Sequence, residues 1–155
     1  MVETPCVSII LPTYNRANLL PRAIKSVLNQ DFQDWELLIW DDGSTDTTFD
    51  IVKSVNDTRI RYFKDENHGM SYGLNRSIDK AQAELIAFLD DDDEWSQNKL
   101  GLQTTSMKLF PQIDMVFGNY MNTNQITGKS ETGFSQNKEA IQLLQISKIR
   151  EKENL

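Results

Sequence analysis

The sequence predicts an α/β fold in which a mostly parallel sheet carries helices on both faces. Short apolar runs alternate with segments whose apolar residues recur at helical spacing, and this alternation favours right-handed crossovers between parallel strands. Two of the apolar runs lead directly into aspartates, Asp41 with Asp42 and later Asp90 to Asp93. Because ligands of open parallel sheets bind beyond the carboxyl ends of the strands, we expect a functional site at these two exits.

Each predicted strand is a short apolar run bounded by turn residues or proline. The four strands are predicted at residues 6–11 (ended by Pro12), 36–40, 60–63 and 85–89. The helices between them are predicted at residues 19–28, 49–55 and 70–81. The turns at residues 41–46 and 67–69 contain the Asp, Ser, Asn and Gly that favour helix caps and tight turns.

The pattern weakens towards the end of the chain. A helix is expected after Trp95 as far as Phe110, and a fifth strand at residues 114–120. Residues 122–133 are polar and are typical of a hairpin or a mobile loop. A last amphipathic helix is expected from Ala140, followed by a charged tail at residues 148–155.

Composition narrows the class of protein. A chain of 155 residues is expected to form one domain with a sizeable core. The net charge of -7 argues against a nucleic-acid or anionic-membrane surface, so nucleic acid is not an expected partner. One cysteine, Cys6, excludes a disulfide framework and fits a reducing compartment. No stretch has the ~20 apolar residues of a membrane span, and we therefore expect a cytoplasmic protein.

The run from Asp90 to Asp93 has two interpretations. It could be a solvated acidic turn that caps the helix starting near Ser96. Clustered carboxylates repel one another, however, and a divalent cation reverses that cost; Mg²⁺ or Mn²⁺ is the hard cation that carboxylate oxygens suit. A rim of carboxylates on two strand exits would then suit a nucleoside diphosphate bridged by metal.

Other motifs are weaker. Gly128-Lys129-Ser130 resembles the end of a phosphate-binding loop, but Thr123 stands where that loop requires glycine and no strand precedes it. His68, beside Gly69, is interpreted as a turn residue and Cys6 as a core residue.

Four segments together resemble the family 2 glycosyltransferases of GT-A fold. They are Val-Ser-Ile-Ile-Leu-Pro-Thr-Tyr-Asn-Arg at residues 7–16, Asp-Asp-Gly-Ser-Thr-Asp at 41–46, Asn-His-Gly at 67–69 and Ile-Ala-Phe-Leu-Asp-Asp-Asp-Asp-Glu-Trp at 86–95. The resemblance implies a Rossmann-like sheet and a nucleotide-sugar donor, most often a uridine diphosphate sugar. It also implies inverting transfer to an acceptor hydroxyl.

The resemblance assigns roles by position. Pro12, Thr13, Tyr14, Asp42 and Asp91 would bind the nucleotide, with Thr13 and Asp42 at the base and Asp91 near the ribose. A Mn²⁺ or Mg²⁺ cofactor would be held by Asp92, with Asp90 as a further candidate ligand.

The resemblance also sets the expected domain organisation. Residues 1–120 would form the nucleotide-sugar-binding GT-A domain, and residues 121–155 a partial acceptor-side segment of the same domain, truncated relative to the family. The general base is expected to be absent, since Glu131 and Glu139 are the acids of that segment before its charged tail and neither is marked as a base.

Three further points follow from the resemblance or are left open by it. A binding module without turnover is the alternative function. The acceptor, carbohydrate or lipid-linked, is open, as is a homo-oligomer. An association with the inner face of the membrane is compatible with the cytoplasmic expectation.

Overall fold

The computed structural model describes residues 4–124 and 126–133 of the chain. The chain divides into two compact units, Met1–Leu109 and Phe110–Leu155. The first unit contains a four-stranded sheet with its helices, and the second contains a two-stranded hairpin. The final helix and the charged tail that the sequence predicts lie outside the described residues.

The first unit alternates strands with helices, as predicted. Its strands are β1 (Val7–Thr13), β2 (Trp35–Asp41), β3 (Ile60–Lys64) and β4 (Leu85–Phe88). Its helices are α1 (Leu20–Leu28), α2 (Thr48–Ser54), α3 (Met70–Lys80) and α4 (Lys99–Leu109). The strand order is β3-β2-β1-β4, and every neighbouring pair is parallel. The predicted parallel α/β sheet is therefore confirmed.

The two central strands are buried along their whole length because helices cover both faces of the sheet. The odd-numbered apolar residues of β1 and β2 pack into one core with residues of α1, α2 and α4, including Ile24, Val52 and Leu100. On the opposite face, Trp40 of β2 packs against Gly73 of α3. The alternation of side chains along a strand thus divides the apolar run between two helical layers.

Strand β1 extends beyond its predicted end. The sequence suggests that Pro12 ends the strand, but β1 continues through Pro12 to Thr13, which pairs with Asp41 of β2. Pro12 lacks an N–H group, and this costs little here because β4 has already ended: its last pair with β1 joins Ile10 to Phe88. The two extra residues bring Thr13 to the carboxyl edge of the sheet.

The second unit corrects one prediction. Residues 114–120 form no strand, and Met115, Phe117 and Tyr120 are more than half exposed. An apolar run forms a strand where its side chains can pack on a core, and the large apolar side chains of this run stay exposed instead. The antiparallel pair β5 (Met121–Thr123) and β6 (Ser130–Thr132) follows, so the hairpin alternative for this region is confirmed.

No helix in residues 4–124 and 126–133 combines the length and the apolar character needed to cross a membrane.

Candidate functional site

The ends of three strands meet at the carboxyl edge of the sheet. Strand β1 lies between β2 and β4, so Thr13 stands between the segment after β2 and the segment after β4. The amide of Asp42 donates to the Thr13 carbonyl at 3.0 Å. The Thr13 hydroxyl donates to Asp91 Oδ2 at 2.8 Å. One residue of the central strand therefore connects the two aspartate segments that the sequence singled out.

Asp42 is buried, and its carboxylate organises the turn before α3. Oδ1 accepts the His68 amide at 2.8 Å, and Oδ2 accepts the Gly69 amide at 2.9 Å. Both oxygens therefore hold the 67–69 turn against the end of β2. This structural task was not expected from the sequence, because it joins residues that are 26 and 27 positions apart.

Asp41 is the fully buried acid of the site. It accepts the Ser44 amide at 2.7 Å and the hydroxyl of Tyr62 on the neighbouring strand β3. Burial, followed by the hydrogen bond to Asp41, raises the pKa of Tyr62 above its usual value. Tyr62 therefore stays a neutral donor to Asp41. The sequence placed Asp41 in a turn and gave no sign of this partner.

The four aspartates after β4 differ in their surroundings. Asp91 is half-buried, and burial raises its pKa against the opposing effects of the Thr13 hydroxyl and the Arg16 guanidinium. Burial and the nearby Asp90 and Asp92 carboxylates also raise the pKa of Asp93. Asp90 is exposed. Asp92 is half-exposed, and its Oδ2 lies 3.0 Å from Arg16 Nη1.

The loop between β1 and α1 is anchored to the loop after β2. Asn15 adopts a positive φ of 53°, which asparagine tolerates better than most residues. Its amide donates to Ser44 Oγ at 2.8 Å, and its side-chain oxygen accepts the Thr45 amide at 2.8 Å. Pro12 is buried in β1, just before this loop, and Tyr14 is half-exposed. Asn15 and Arg16 belong to the motif at residues 7–16, but the sequence predicts no role for either of them.

The acids of this edge fit a metal ion that arrives with a ligand. In the described part of the chain, no three His, Cys, Asp or Glu side chains converge as a preformed metal site. Asp92 offers a half-exposed carboxylate and Asp90 stands two residues away in the same turn. Mg²⁺ is commonly held by one or two carboxylates together with substrate phosphates, so this donor set is sufficient only with phosphate oxygens.

Comparison with known proteins agrees with this architecture. Two curated relatives are a GalNAc(5)-diNAcBac-PP-undecaprenol beta-1,3-glucosyltransferase of Campylobacter jejuni and a UDP-Glc:alpha-D-GlcNAc-diphosphoundecaprenol beta-1,3-glucosyltransferase of Escherichia coli. Each is 42% identical to this chain, over 74% and 79% of it respectively. The matches cover 38% and 49% of those two proteins, so the chain spans about half or less of their length.

Solved structures give the same result. A mannosyltransferase of Pyrobaculum calidifontis, in complex with GDP-Man and Mn²⁺, is 27% identical with a TM-score of 0.58, over 64% of this chain and 31% of its own. S. aureus TarS in complex with UDP-GlcNAc is 29% identical with a TM-score of 0.59, over 68% of this chain and 31% of its own. The GT-A fold expected from the sequence is therefore confirmed.

The family model described as glycosyl transferase family 2 matches residues 8–149, which is most of the chain. The match includes β1 and the aspartate segments after β2 and β4. The chain therefore belongs to glycosyl transferase family 2.

Proposed function

We propose that this chain binds a nucleoside diphosphate sugar, a UDP-sugar above all, as the donor side of a glycosyltransferase. The observation that carries the proposal is the link from Asp42 through Thr13 to Asp91, which joins the two acidic strand exits at one edge of the sheet. The base would lie against Thr13, Pro12 and Tyr14. Asp42 would accept a hydrogen bond from the base, and Asp91 would lie near the ribose.

Asp42 can do this in addition to its structural task. Its two oxygens already accept the amides of His68 and Gly69, but each carboxylate oxygen has a second lone pair. Since the carboxylate is fixed by the turn, it would meet the base without first losing side-chain freedom. The same two bonds would align it before the nucleotide arrives.

A divalent cation, Mn²⁺ or Mg²⁺, would be held by Asp92 with Asp90 as a further ligand. When bound, it would neutralise negative charge on the diphosphate leaving group. The support is the half-exposed Asp92 carboxylate together with the Mn²⁺ named for the mannosyltransferase of similar fold. Thr13, in turn, would hold Asp91 in place through its hydroxyl.

We propose inverting transfer, in which an acceptor hydroxyl attacks the anomeric carbon in line and the diphosphate leaves from the opposite side. The names of both relatives include undecaprenol linked through a diphosphate, which supports a lipid-linked acceptor. The general base stays unassigned. Glu131 is exposed in β6, and Glu139 lies outside the described residues.

A second candidate is a nucleotide-sugar-binding module without turnover. The observation that favours it is that none of the acids described at the carboxyl edge of the sheet is assigned as the general base, whereas Asp42, Asp91 and Asp92 are all assigned to the donor or its metal. Loss of a general base typically lowers a rate about 10² to 10⁴-fold while leaving donor binding intact. Donor turnover across an acceptor panel, measured beside donor binding, distinguishes this candidate from the enzyme.

Isothermal titration with UDP-glucose, GDP-mannose and uridine, each with Mn²⁺ or with chelator, tests the proposal. We expect the UDP-sugar to bind in Mn²⁺ and to bind much more weakly in chelator. Asp92→Asn should reduce the metal-dependent part of that affinity. Asp79→Asn is the matched control, because Asp79 is an exposed residue of α3 paired with Arg76. Absence of nucleotide binding by the folded wild-type chain would contradict the proposal.

A further inference from the structure

Arg16 is the residue that meets the proposed metal ligand in this structure. Its Nη1 lies 3.0 Å from Asp92 Oδ2, and both side chains are about half exposed, at 46% and 51%. Exposed ion pairs of this kind contribute little to folding stability. The pair can therefore be exchanged for another partner without unfolding the site.

The backbone around Arg16 is fixed on both sides. Asn15 is bonded to Ser44 and Thr45, and the Ala17 amide donates to Asp46 Oδ2 at 3.1 Å. The Arg16 carbonyl accepts the amides of Leu19 and Leu20 at 2.9 and 3.0 Å, at the start of α1. Arg16 is thus an exposed cationic side chain on an anchored backbone, directed at the loop after β4.

Arg22 is the neighbouring cation and differs from Arg16 in what it contacts. It donates to the backbone carbonyl of Asp92 at 3.4 Å and lies 3.5 Å from Glu94 Oε1. Among the described residues, Arg16 is the one whose guanidinium pairs with a carboxylate of the run from Asp90 to Asp93. The charge of this acidic turn is therefore balanced, at Asp92, by a side chain from another loop.

We propose that Arg16 is the resident cation of the acidic strand exit. It pairs with Asp92 while metal is absent, releases that carboxylate to the divalent cation when the donor binds, and then pairs with the donor diphosphate. The inference rests on the proposed function, because it takes Asp92 as a metal ligand.

The exchange follows from geometry and charge. A guanidinium at 3.0 Å from Oδ2 and a divalent cation at the ~2.1 Å of a coordination bond would bring two positive charges close together on one carboxylate oxygen. Repulsion between the two positive charges therefore makes the two partners compete for that oxygen. The displaced guanidinium would find its best alternative in phosphate, which it binds through two parallel hydrogen bonds.

This exchange makes metal and nucleotide binding cooperative. With metal alone, Mn²⁺ must displace Arg16 and leave a cation without a partner beside it. With UDP present, the diphosphate accepts the displaced guanidinium, and the same phosphate oxygens complete the coordination of the metal. The chain should therefore bind Mn²⁺ weakly alone and more tightly with UDP.

The first measurement is the affinity for Mn²⁺ in the absence of nucleotide, monitored by the electron paramagnetic resonance signal of the free ion. It compares wild type with the variants Arg16→Gln, Arg16→Lys and Arg76→Gln. Arg76 is the control, since it forms an exposed ion pair with Asp79 on α3. Arg16→Gln should bind Mn²⁺ about twofold to fivefold more tightly than wild type, the factor that corresponds to an exposed ion pair. Arg16→Lys keeps the charge and should resemble wild type in Mn²⁺ affinity, and Arg76→Gln should match it.

The second measurement is titration of UDP and of uridine in saturating Mn²⁺. Arg16→Gln should bind UDP about tenfold more weakly or worse, and should bind uridine, which lacks phosphates, as wild type does. Circular dichroism melting of each variant establishes that it is folded.

Equal Mn²⁺ affinity for wild type and Arg16→Gln, or no Mn²⁺ binding by either, would overturn the inference. Unchanged UDP affinity in Arg16→Gln would overturn its diphosphate part. If wild type binds Mn²⁺ but no UDP, the proposed function fails, whereas the comparison with Mn²⁺ alone still decides whether Arg16 competes for Asp92.

Discussion

The hydroxyl of Thr13, at the end of the central strand β1, donates a hydrogen bond of 2.8 Å to the Asp91 carboxylate in the loop after β4. Thr13 is itself buried, and its carbonyl accepts the amide of Asp42, the residue directly after β2 on the other side of β1. A single side chain of the core thus sets the position of an acid in the site. Changes at this residue should therefore alter ligand binding as well as stability.

Thr13→Val keeps the shape of the side chain and removes the donor to Asp91. We expect UDP affinity in Mn²⁺ to fall about fivefold or more, because a hydrogen bond to a charged group contributes ~1.5 to 3 kcal/mol and part of it is recovered from water at this half-exposed acid. Thr13→Ser retains the hydroxyl and serves as the control. Isothermal titration giving the same affinity for the valine and serine variants would contradict a role for this bond.

The variant Asp42→Ala distinguishes the role of Asp42 in holding the 67–69 turn from its proposed role in binding the nucleotide base. Two part-buried hydrogen bonds, from the amides of His68 and Gly69, lose their charged acceptor, so the free energy of unfolding should fall by about 1 to 3 kcal/mol in urea denaturation. UDP affinity should fall as well, since the base loses its acceptor, while Mn²⁺ affinity changes little. A variant that is less stable but binds UDP normally would mean that Asp42 only anchors the turn.

Gly73 and Gly101 form a matched pair of helical glycines. A methyl group on Gly73 would stand 2.7 Å from Cδ1 of the buried Trp40, whereas one on Gly101 would meet the end of the Asp31 side chain at 3.0 Å. Gly73→Ala should lower the free energy of unfolding by about 1 to 2 kcal/mol, because overpacking outweighs the gain in helix propensity. Gly101→Ala should leave it unchanged or raise it by up to ~1 kcal/mol. Thermal unfolding that ranks the two variants in the opposite order would contradict this packing.

Asp57 gives a prediction for the acid limb of the stability curve. The hydrogen bond from Arg59, whose Nη2 lies 2.6 Å from Asp57 Oδ2, lowers the pKa of the Asp57 carboxyl. Because this pKa is lower in the folded state, the ionised carboxyl stabilises the fold at pH values above its unfolded pKa of about 3.9. That stabilisation is lost as the pH falls through the folded-state pKa. At pH 7 the free energy of unfolding of Asp57→Asn should therefore be lower than that of wild type, by less than about 1 kcal/mol. The two curves should converge below pH ~3; a difference that persists there would contradict an electrostatic origin.

The order of strands and helices could be predicted from the sequence because each element has its own periodicity and its own turn residues. The hydrogen-bond partners of individual side chains could not be predicted in this way. Nothing local indicates that Tyr62 donates to Asp41, since the two lie on neighbouring strands and are 21 residues apart. The apolar run at residues 114–120 has the composition of a strand, but its large apolar side chains stay exposed and it forms no strand. A proline predicts the end of a strand, but Pro12 does not end β1 because β4 stops pairing with β1 before it.

The candidate site was predictable to a similar extent. Thr13, Asp42 and Asp91 came from motifs at strand ends, and parallel strands bring such ends to one edge. Arg16 received no role because its significance lies in a contact with Asp92, 76 residues away. The sequence alone could not distinguish it from a solvated arginine, since charge at a loop position is common.

A uridine diphosphate should bind this edge of the sheet together with a divalent cation at Asp92. Thermal unfolding of wild type and Asp92→Ala with UDP, in Mn²⁺ and in chelator, tests this binding directly. At 100 times its dissociation constant, UDP should stabilise wild type by about 2.7 kcal/mol in Mn²⁺. We expect this stabilisation to be largely lost in chelator and in Asp92→Ala. Equal stabilisation of wild type by UDP with and without metal, or no stabilisation in either, would contradict the account.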